Sequence, residues 1–210
     1  MTFEAVLWDY GGIFTASPFA AAHAYARSQD VDPAEMLRVV FGSYDADTDH
    51  VWHQLERGEM TFVDALTQIK ADAEAAGFRF DSGEMFSMMV TDQIDRSLVV
   101  EAVRLVRAKG LRTAIVTNNI REYGDAWRAQ FPLDELFDAV VDSCEEGVRK
   151  PDPAIFQTAL DRVGVADATR AIFLDDFPGN VAAAEAMGMH GIVVGEDPTP
   201  ALDELLSLVS

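Results

Sequence analysis

A chain of 210 residues is long enough for one domain with a sizeable core, and 49% hydrophobic against 25% charged residues excludes a disordered or fibrous polymer. Sixteen Lys and Arg against 36 Asp and Glu leave a formal net charge of −20, which opposes non-specific binding to nucleic acid or an anionic membrane, so a site for an anionic ligand must supply its own positive charge. Cys144 is the only cysteine, which excludes an intramolecular disulfide, and with no basic leader or long apolar run after Met1 a cytoplasmic location is expected.

The first strand is predicted over Ala5-Val6-Leu7-Trp8, an apolar run that delivers Asp9 to its carboxyl end before Gly11 and Gly12 let the chain bend. Helices are predicted over Pro18 to Gln29 with Ser17 as N-cap, then Pro33 to Phe41, His50 to Arg57, Thr61 to Ala76 and Gly83 to Thr91. No alternating strand pattern appears between residues 17 and 91, so this stretch reads as a helical cap inserted after the first strand. From there strand and helix alternate. A helix over Leu98 to Lys109 precedes a strand over Leu111 to Val116, which ends in Thr117-Asn118-Asn119. A helix over Arg121 to Gln130 leads to a strand over Phe137 to Val141. The helix Pro153 to Val163 is followed by a strand over Ala171 to Leu174 that ends in Asp175-Asp176. Asn180 to Met187, Gly191 to Val194 and Pro200 to Val209 complete the series as helix, strand and helix. The expected fold class is α/β: a Rossmann-like doubly wound parallel sheet, residues 1–16 and 92–210, with an α-helical cap, residues 17–91, inserted in it.

A parallel sheet brings its strand ends to one edge, where ligands of such folds bind. Asp9, Thr117-Asn118 and Asp175-Asp176 therefore share a crevice with the loop Gly147-Val148-Arg149-Lys150-Pro151-Asp152-Pro153, which leads Lys150 toward a helix start. An attacking carboxylate, hydroxyl and amide donors, a Lys and two further carboxylates are the groups phosphoryl transfer needs.

These motifs resemble the haloacid dehalogenase-like hydrolases. The four family motifs are matched in order by Asp9-Tyr10-Gly11-Gly12, Val116-Thr117-Asn118-Asn119, Arg149-Lys150-Pro151-Asp152-Pro153, and Phe173-Leu174-Asp175-Asp176 with Asn180. Gln54-Leu55-Glu56-Arg57-Gly58-Glu59 and Glu146-Gly147-Val148-Arg149-Lys150-Pro151 are similar to the branch containing sugar 1-phosphate phosphatases and the N-terminal domain of soluble epoxide hydrolase. The resemblance implies hydrolysis of a small phosphorylated metabolite, such as a sugar phosphate, through an aspartyl-phosphate on Asp9. It implies Mg²⁺ held by Asp9, the Gly11 carbonyl and Asp176, with Asp175 assisting. It places Gly11, Gly12, Thr117, Asn118 and Lys150 around the phosphate, Thr117 and Lys150 assisting Asp9 in catalysis, and Asn180 steadying the Lys150 region or the metal loop.

One position departs from the resembled pattern. Most phosphatases of the family carry, two residues after the nucleophile, a second Asp that protonates the leaving oxygen; here Gly11 stands in its place. The expectation is a substrate whose leaving group departs easily, such as an anomeric or acyl phosphate, or a cap residue that substitutes, with His53, Glu56 and Glu59 as candidates by type. Two alternatives accompany this reading: a 2-haloacid dehalogenase, which attacks carbon without metal, and a phospho-ligand-binding protein of low turnover. Trp8 and Trp127 read as residues packed on the sheet. Trp52 and the Phe86-Ser87-Met88-Met89 stretch read as cap core with a possible place in the pocket wall, and Cys144 reads as unreactive.

Overall fold

The computed structural model describes residues 2–90, 96–130 and 132–210. Five parallel strands form one sheet: β1 (Ala5–Trp8), β2 (Arg112–Thr117), β3 (Ala139–Asp142), β4 (Ala171–Asp175) and β5 (His190–Val193), in the order β3-β2-β1-β4-β5. β1 is central, paired with β2 on one side and β4 on the other, with Trp8 in register with both Ile115 and Leu174. All four β1 residues are buried, which is why the strand reads as a continuous apolar run and not as an alternation.

Both faces of the sheet are covered. Val6, Trp8, Ile115 and Leu174 pack on one face against α6 (Ser97–Ala108) and the C-terminal helix Thr199–Leu208. Leu7, Val116 and Phe173 pack on the other against the helices Pro153–Val163 and Pro178–Ala186. Between β1 and α6 lie five helices and, among the described residues, no strand: α1 (Pro18–Ser28), α2 (Pro33–Val40), α3 (Val51–Glu56), α4 (Phe62–Ala75) and α5 (Ser82–Val90). They have their own core, in which Tyr25, Phe41, Leu55 and Ile69 are almost fully buried and Ile120 is added from the sheet side. Asp32 and Thr61 cap α2 and α4 by accepting bonds from Ala34 N and Asp64 N. Among the described residues no helix is long and apolar enough to cross a membrane.

Several boundaries differ from the sequence reading. The helix expected over Arg121 to Gln130 is a 3₁₀ turn, Arg121–Tyr123, followed by the short α7 (Gly124–Arg128). The Asn119 side chain accepts from Ile120 N and holds the entry to this segment in a tight turn. A further short helix, α8 (Leu133–Leu136), closes with Phe137 N donating to Leu133 O, so β3 starts at Ala139 and not at Phe137. α9 (Ser143–Glu146) was not legible; Asp142 caps it by accepting from Cys144 N. Ser17 stands at the N-cap of α1 without making a capping bond, and its hydroxyl acts on Asp176, whose pKa it lowers. The expected end of the cap helix at Thr91 and the cap boundary at 91/92 lie outside the described residues.

Candidate active site

The central position of β1 determines what meets at the sheet edge. Asp9 follows β1 directly, and its backbone N–H donates to Leu174 O at 2.8 Å, continuing the pairing with β4. Thr117 ends β2 and Asp175 ends β4, both buried. Lys150 reaches them from the loop after α9, where it is clasped by Asn118: the Asn118 side-chain amide donates to Lys150 O at 3.0 Å and accepts from Lys150 N at 2.8 Å. Two bonds in opposite senses fix the loop on the end of β2. The result is a Lys150 ammonium 2.7 Å from Asp9 Oδ1 and 2.7 Å from Asp175 Oδ2, only 1% exposed.

Burial alone would push the Lys150 ammonium down, but Asp175 and Asp9 outweigh it and hold it above its ordinary pKa. Asp9 is itself raised well above the usual carboxylate range by burial, against the pull of Lys150 and with the added repulsion of Asp175 and Asp176. Asp176 is pushed up to about 6, by burial first and Asp175 second, the Ser17 hydroxyl acting the other way. Carboxylate oxygens of Asp9, Asp175 and Asp176 all lie within 4.8 Å of one another. Three carboxylates thus face one ammonium, an excess of negative charge that a divalent cation with hard oxygen ligands would neutralise. Asn180 supports the same fit. Its amide nitrogen donates to both Asp175 oxygens, while its Oδ1 is buried without a hydrogen-bond partner. The donor set therefore fits a divalent metal ion.

Gly12 has φ +73°, and a Cβ there would lie 2.0 Å from Asp176 Oδ2. Only glycine permits this approach of Asp176 to the β1 loop. Gly12 does not line the cavity over Asp9; it faces a neighbouring one on the other side of Asp176. Gly11 does line it, and a Cβ there would meet only Pro18 Cδ at 3.9 Å and Asp9 Oδ2 at 4.0 Å. The backbone does not demand glycine at that position.

The cavity above Asp9 has a volume of about 380 Å³. Its floor holds Asp9, Thr117, Lys150 and Asp176, and nine of its lining residues are aromatic. Phe19, Phe41, Trp52 and Phe86 come from the helical insertion, and Trp52 and Phe86 serve in the wall and in the insertion's core at once. Trp127 and Phe177 lie on the sheet side. Phe177 meets Phe19 and Tyr44, ring centroids 5.4 Å apart in each case, so aromatic contacts join the two sides.

Of the three candidates for a substitute acid, only Glu56 lines the cavity, and it is already engaged. Its carboxylate accepts from Arg149 Nε at 2.7 Å, from Trp52 Nε1 at 2.8 Å and from the Tyr44 hydroxyl. Tyr44 is raised well above its ordinary pKa by burial and then by Glu56, so it stays protonated as the donor. His53 is fully buried, its Nδ1 accepting from Thr48 N at 3.0 Å, and burial with Arg149 nearby lowers its pKa to about 3. Glu59 is half-exposed and pairs with Arg57. The buried Glu56–Arg149 pair was missed by sequence reasoning. The adjacency of Arg149 to Lys150 was a signal, but its partner lies 93 residues away. Cys144 is buried, and its thiol is pushed up to about 12 by burial and the neighbouring Asp142, which keeps it inert.

Residues 3–188 match the haloacid dehalogenase-like hydrolase family. Among curated proteins, acyl-CoA dehydrogenase family member 10 of Mus musculus is 33% identical over 99% of this chain and 19% of its own length. Bifunctional epoxide hydrolase 2 of Mus musculus is 29% identical over 98% of this chain and 38% of its own. The chain thus spans well under half of these two relatives. The sesquiterpene phosphatase astK of Aspergillus oryzae is 27% identical over 91% of this chain and 89% of its own. Two solved structures share the fold: a family enzyme of Bacteroides thetaiotaomicron in complex with magnesium and inorganic phosphate (TM-score 0.61, 16% identity, 93% and 96% of the two chains), and an L-2-haloacid dehalogenase (TM-score 0.67, 18% identity, 100% and 99%).

Proposed function

Since the chain belongs to the haloacid dehalogenase-like hydrolases, we propose that it is a metal-dependent phosphatase that cleaves a small phosphorylated substrate through an aspartyl-phosphate on Asp9. The observation that carries this reading is Lys150, set 2.7 Å from both Asp9 and Asp175 at the floor of a cavity that also holds Asp176. The phosphatase named among the relatives supports it, and so does the structural neighbour whose crystals hold magnesium and phosphate.

In this reading an Asp9 carboxylate oxygen attacks phosphorus as the bond to the leaving oxygen breaks, and that oxygen departs with the electron pair. Water then attacks phosphorus and loses a proton to the departed alkoxide or to solvent, the bond from phosphorus to the Asp9 oxygen breaks with its electron pair returning to the carboxylate, and inorganic phosphate leaves. Lys150 offsets charge on Asp9 and the transferring phosphoryl group, while Thr117 and the Asn118 backbone hold its oxygens. Asp9, Asp175, Asp176 and the Gly11 carbonyl would hold Mg²⁺, which when bound supplies positive charge against the phosphate. Asn180 keeps Asp175 oriented toward Lys150. Gly12 lets Asp176 approach and need not touch phosphate. Residues 17–91 act as the cap over residues 1–16 and 92–210, excluding water from the phosphate. The single, buried Cys144 suits a reducing, cytoplasmic setting.

Dehalogenation of a 2-haloacid is the less favoured chemistry, because attack on carbon has no use for the Asp9–Asp175–Asp176 cluster. The test is phosphate release from acetyl phosphate and an aryl phosphate, with Mg²⁺ or with EDTA, by wild type and Asp9→Asn. Release that needs both Mg²⁺ and Asp9 is expected. Chloride release from 2-chloropropionate without phosphate release would transfer the assignment to the dehalogenase.

A further inference from the structure

We propose that the cavity over Asp9 selects phosphomonoesters of apolar alcohols and discriminates against sugar phosphates. This rests on the phosphatase reading and specifies its substrate class. It departs from the sugar phosphate that the sequence suggested.

The first observation is the aromatic wall. Nine of the lining residues are Phe, Tyr or Trp, supplied by both the helical insertion and the sheet side, and their rings contact one another around the space where a leaving alcohol would sit. Such a wall rewards buried apolar area.

The second observation is independent of the first and concerns the polar atoms of the same wall. Glu56 gives its carboxylate to Arg149, Trp52 and Tyr44. The Tyr10 hydroxyl donates to Gln130 Oε1 at 3.1 Å. The Asn118 amide is spent on the Lys150 backbone. The Thr15 hydroxyl donates to Ala16 O at 3.2 Å. A sugar carries several hydroxyls that lose water on entering, and these four wall groups are already bonded within the protein; Trp127 Nε1, buried in the same wall without a hydrogen-bond partner, can serve one hydroxyl and not a sugar's several. Desolvating a hydroxyl without a partner is costly, whereas an alkyl or aryl group loses nothing of the kind.

Gly11 fits the same substrate. Beside Asp9 it leaves open space bounded by Pro18, where most relatives by resemblance would place a charged carboxylate. An apolar group can approach the phosphate there without burying a charge.

The experiment compares primary alkyl phosphates, in which leaving-group basicity is nearly constant and only apolar length changes. Steady-state kcat/KM is measured with Mg²⁺ for ethyl, butyl, hexyl and octyl phosphate, for glucose 6-phosphate as the polyhydroxylated counterpart of hexyl phosphate, and for acetyl phosphate as a general phosphoryl donor. Asp9→Asn is the control. The expected result is a rise of roughly two- to fourfold in kcat/KM per added methylene until the cavity is filled, and hexyl phosphate ahead of glucose 6-phosphate by more than about tenfold. A flat series, no turnover of any alkyl phosphate, or glucose 6-phosphate equal to or better than hexyl phosphate, with Asp9-dependent hydrolysis of acetyl phosphate intact, overturns the proposal while the phosphatase reading stands. Absence of Asp9-dependent turnover with every ester, acetyl phosphate included, overturns both.

Discussion

Arg149 and Glu56 form a buried ion pair, Nε to Oε2 at 2.7 Å, that joins α3 of the helical insertion to the residue preceding Lys150. Burial works against the Arg149 charge, but Glu56, Tyr44 and Asp47 together hold its pKa above the ordinary value. The Arg149 guanidinium also lies 4.8 Å over the Tyr44 ring. Nearby, Ser143 Oγ donates to Glu56 O at 2.6 Å, so backbone and side chain of one cap residue both dock on the core. Geometry at Lys150 and the seating of the insertion are thereby mechanically linked.

Removing one partner of this pair leaves a charge in a dry interface. Glu56→Gln is expected to cost about 3–5 kcal/mol of stability, because among the described residues Arg149 then keeps only Asp47, at 3.6 Å, as an anionic partner. The double variant Glu56→Gln/Arg149→Met removes the stranded charge and should recover a good part of that loss. Urea unfolding of Glu56→Gln, Arg149→Met and the double variant measures this; additive losses would show that the two residues do not act as a pair.

The two glycines after Asp9 should behave oppositely. Gly12→Ala forces a side chain into φ +73° and against Asp176, so a loss of about 1–3 kcal/mol in stability and a fall in kcat are expected. Gly11→Asp meets no such obstacle and should fold normally. As a restored acid it should accelerate poor leaving groups more than good ones, by up to about a hundredfold to ten-thousandfold for alkyl esters. Unfolding midpoints and kcat across aryl and alkyl phosphates check both statements, and equal effects on all leaving groups would remove the acid role assigned to position 11.

Much of this site was legible because a central buried strand ends where its apolar run ends, so Asp9, Thr117 and Asp175 could be aligned from sequence. The Glu56–Arg149 pair was not legible, since it depends on how the insertion seats and not on local pattern. The same holds for Trp52 and Phe86, whose helical spacing marks them as core. Their second role in the cavity wall appears only when the sheet side supplies Tyr10, Trp127 and Phe177 opposite them. Near the boundaries, local side-chain bonds prevailed over periodicity: Asn119 tightened the start of one helix, and Asp142 started another that the sequence did not suggest.

Stability should depend on pH through His53. Its folded pKa of about 3 lies below its ordinary 6.5, so below pH 6.5 the unfolded chain binds a proton that the native protein refuses. The neutral imidazole therefore contributes stability above pH 6.5, and this is lost as pH falls toward 3, at a slope approaching about 1.4 kcal/mol per pH unit. His53→Asn cannot titrate in this window and should show a shallower acid slope in urea unfolding measured from neutral pH downward. Identical slopes for the two proteins would contradict the burial of a neutral His53.

Metal should be visible without turnover. Mg²⁺ bound to the native cluster and not to the unfolded chain should stabilise by about 2.7 kcal/mol at a hundredfold excess over its Kd. Asp176→Asn removes one carboxylate of the cluster and should lose most of that gain. Thermal unfolding with Mg²⁺ or EDTA reads this directly, and an unchanged Tm for wild type would argue against a metal site at Asp9, Asp175 and Asp176.

The most direct test of the account is to trap the phosphoryl group. Wild-type enzyme turning over acetyl phosphate with Mg²⁺ is quenched rapidly in acid, digested and mapped by mass spectrometry. One phosphoryl group on the peptide that carries Asp9, absent from Asp9→Asn, is the expected result. Asp9→Asn releasing phosphate at the wild-type rate, or a phosphoryl group mapped to another residue, would contradict the assignment of Asp9 as the nucleophile.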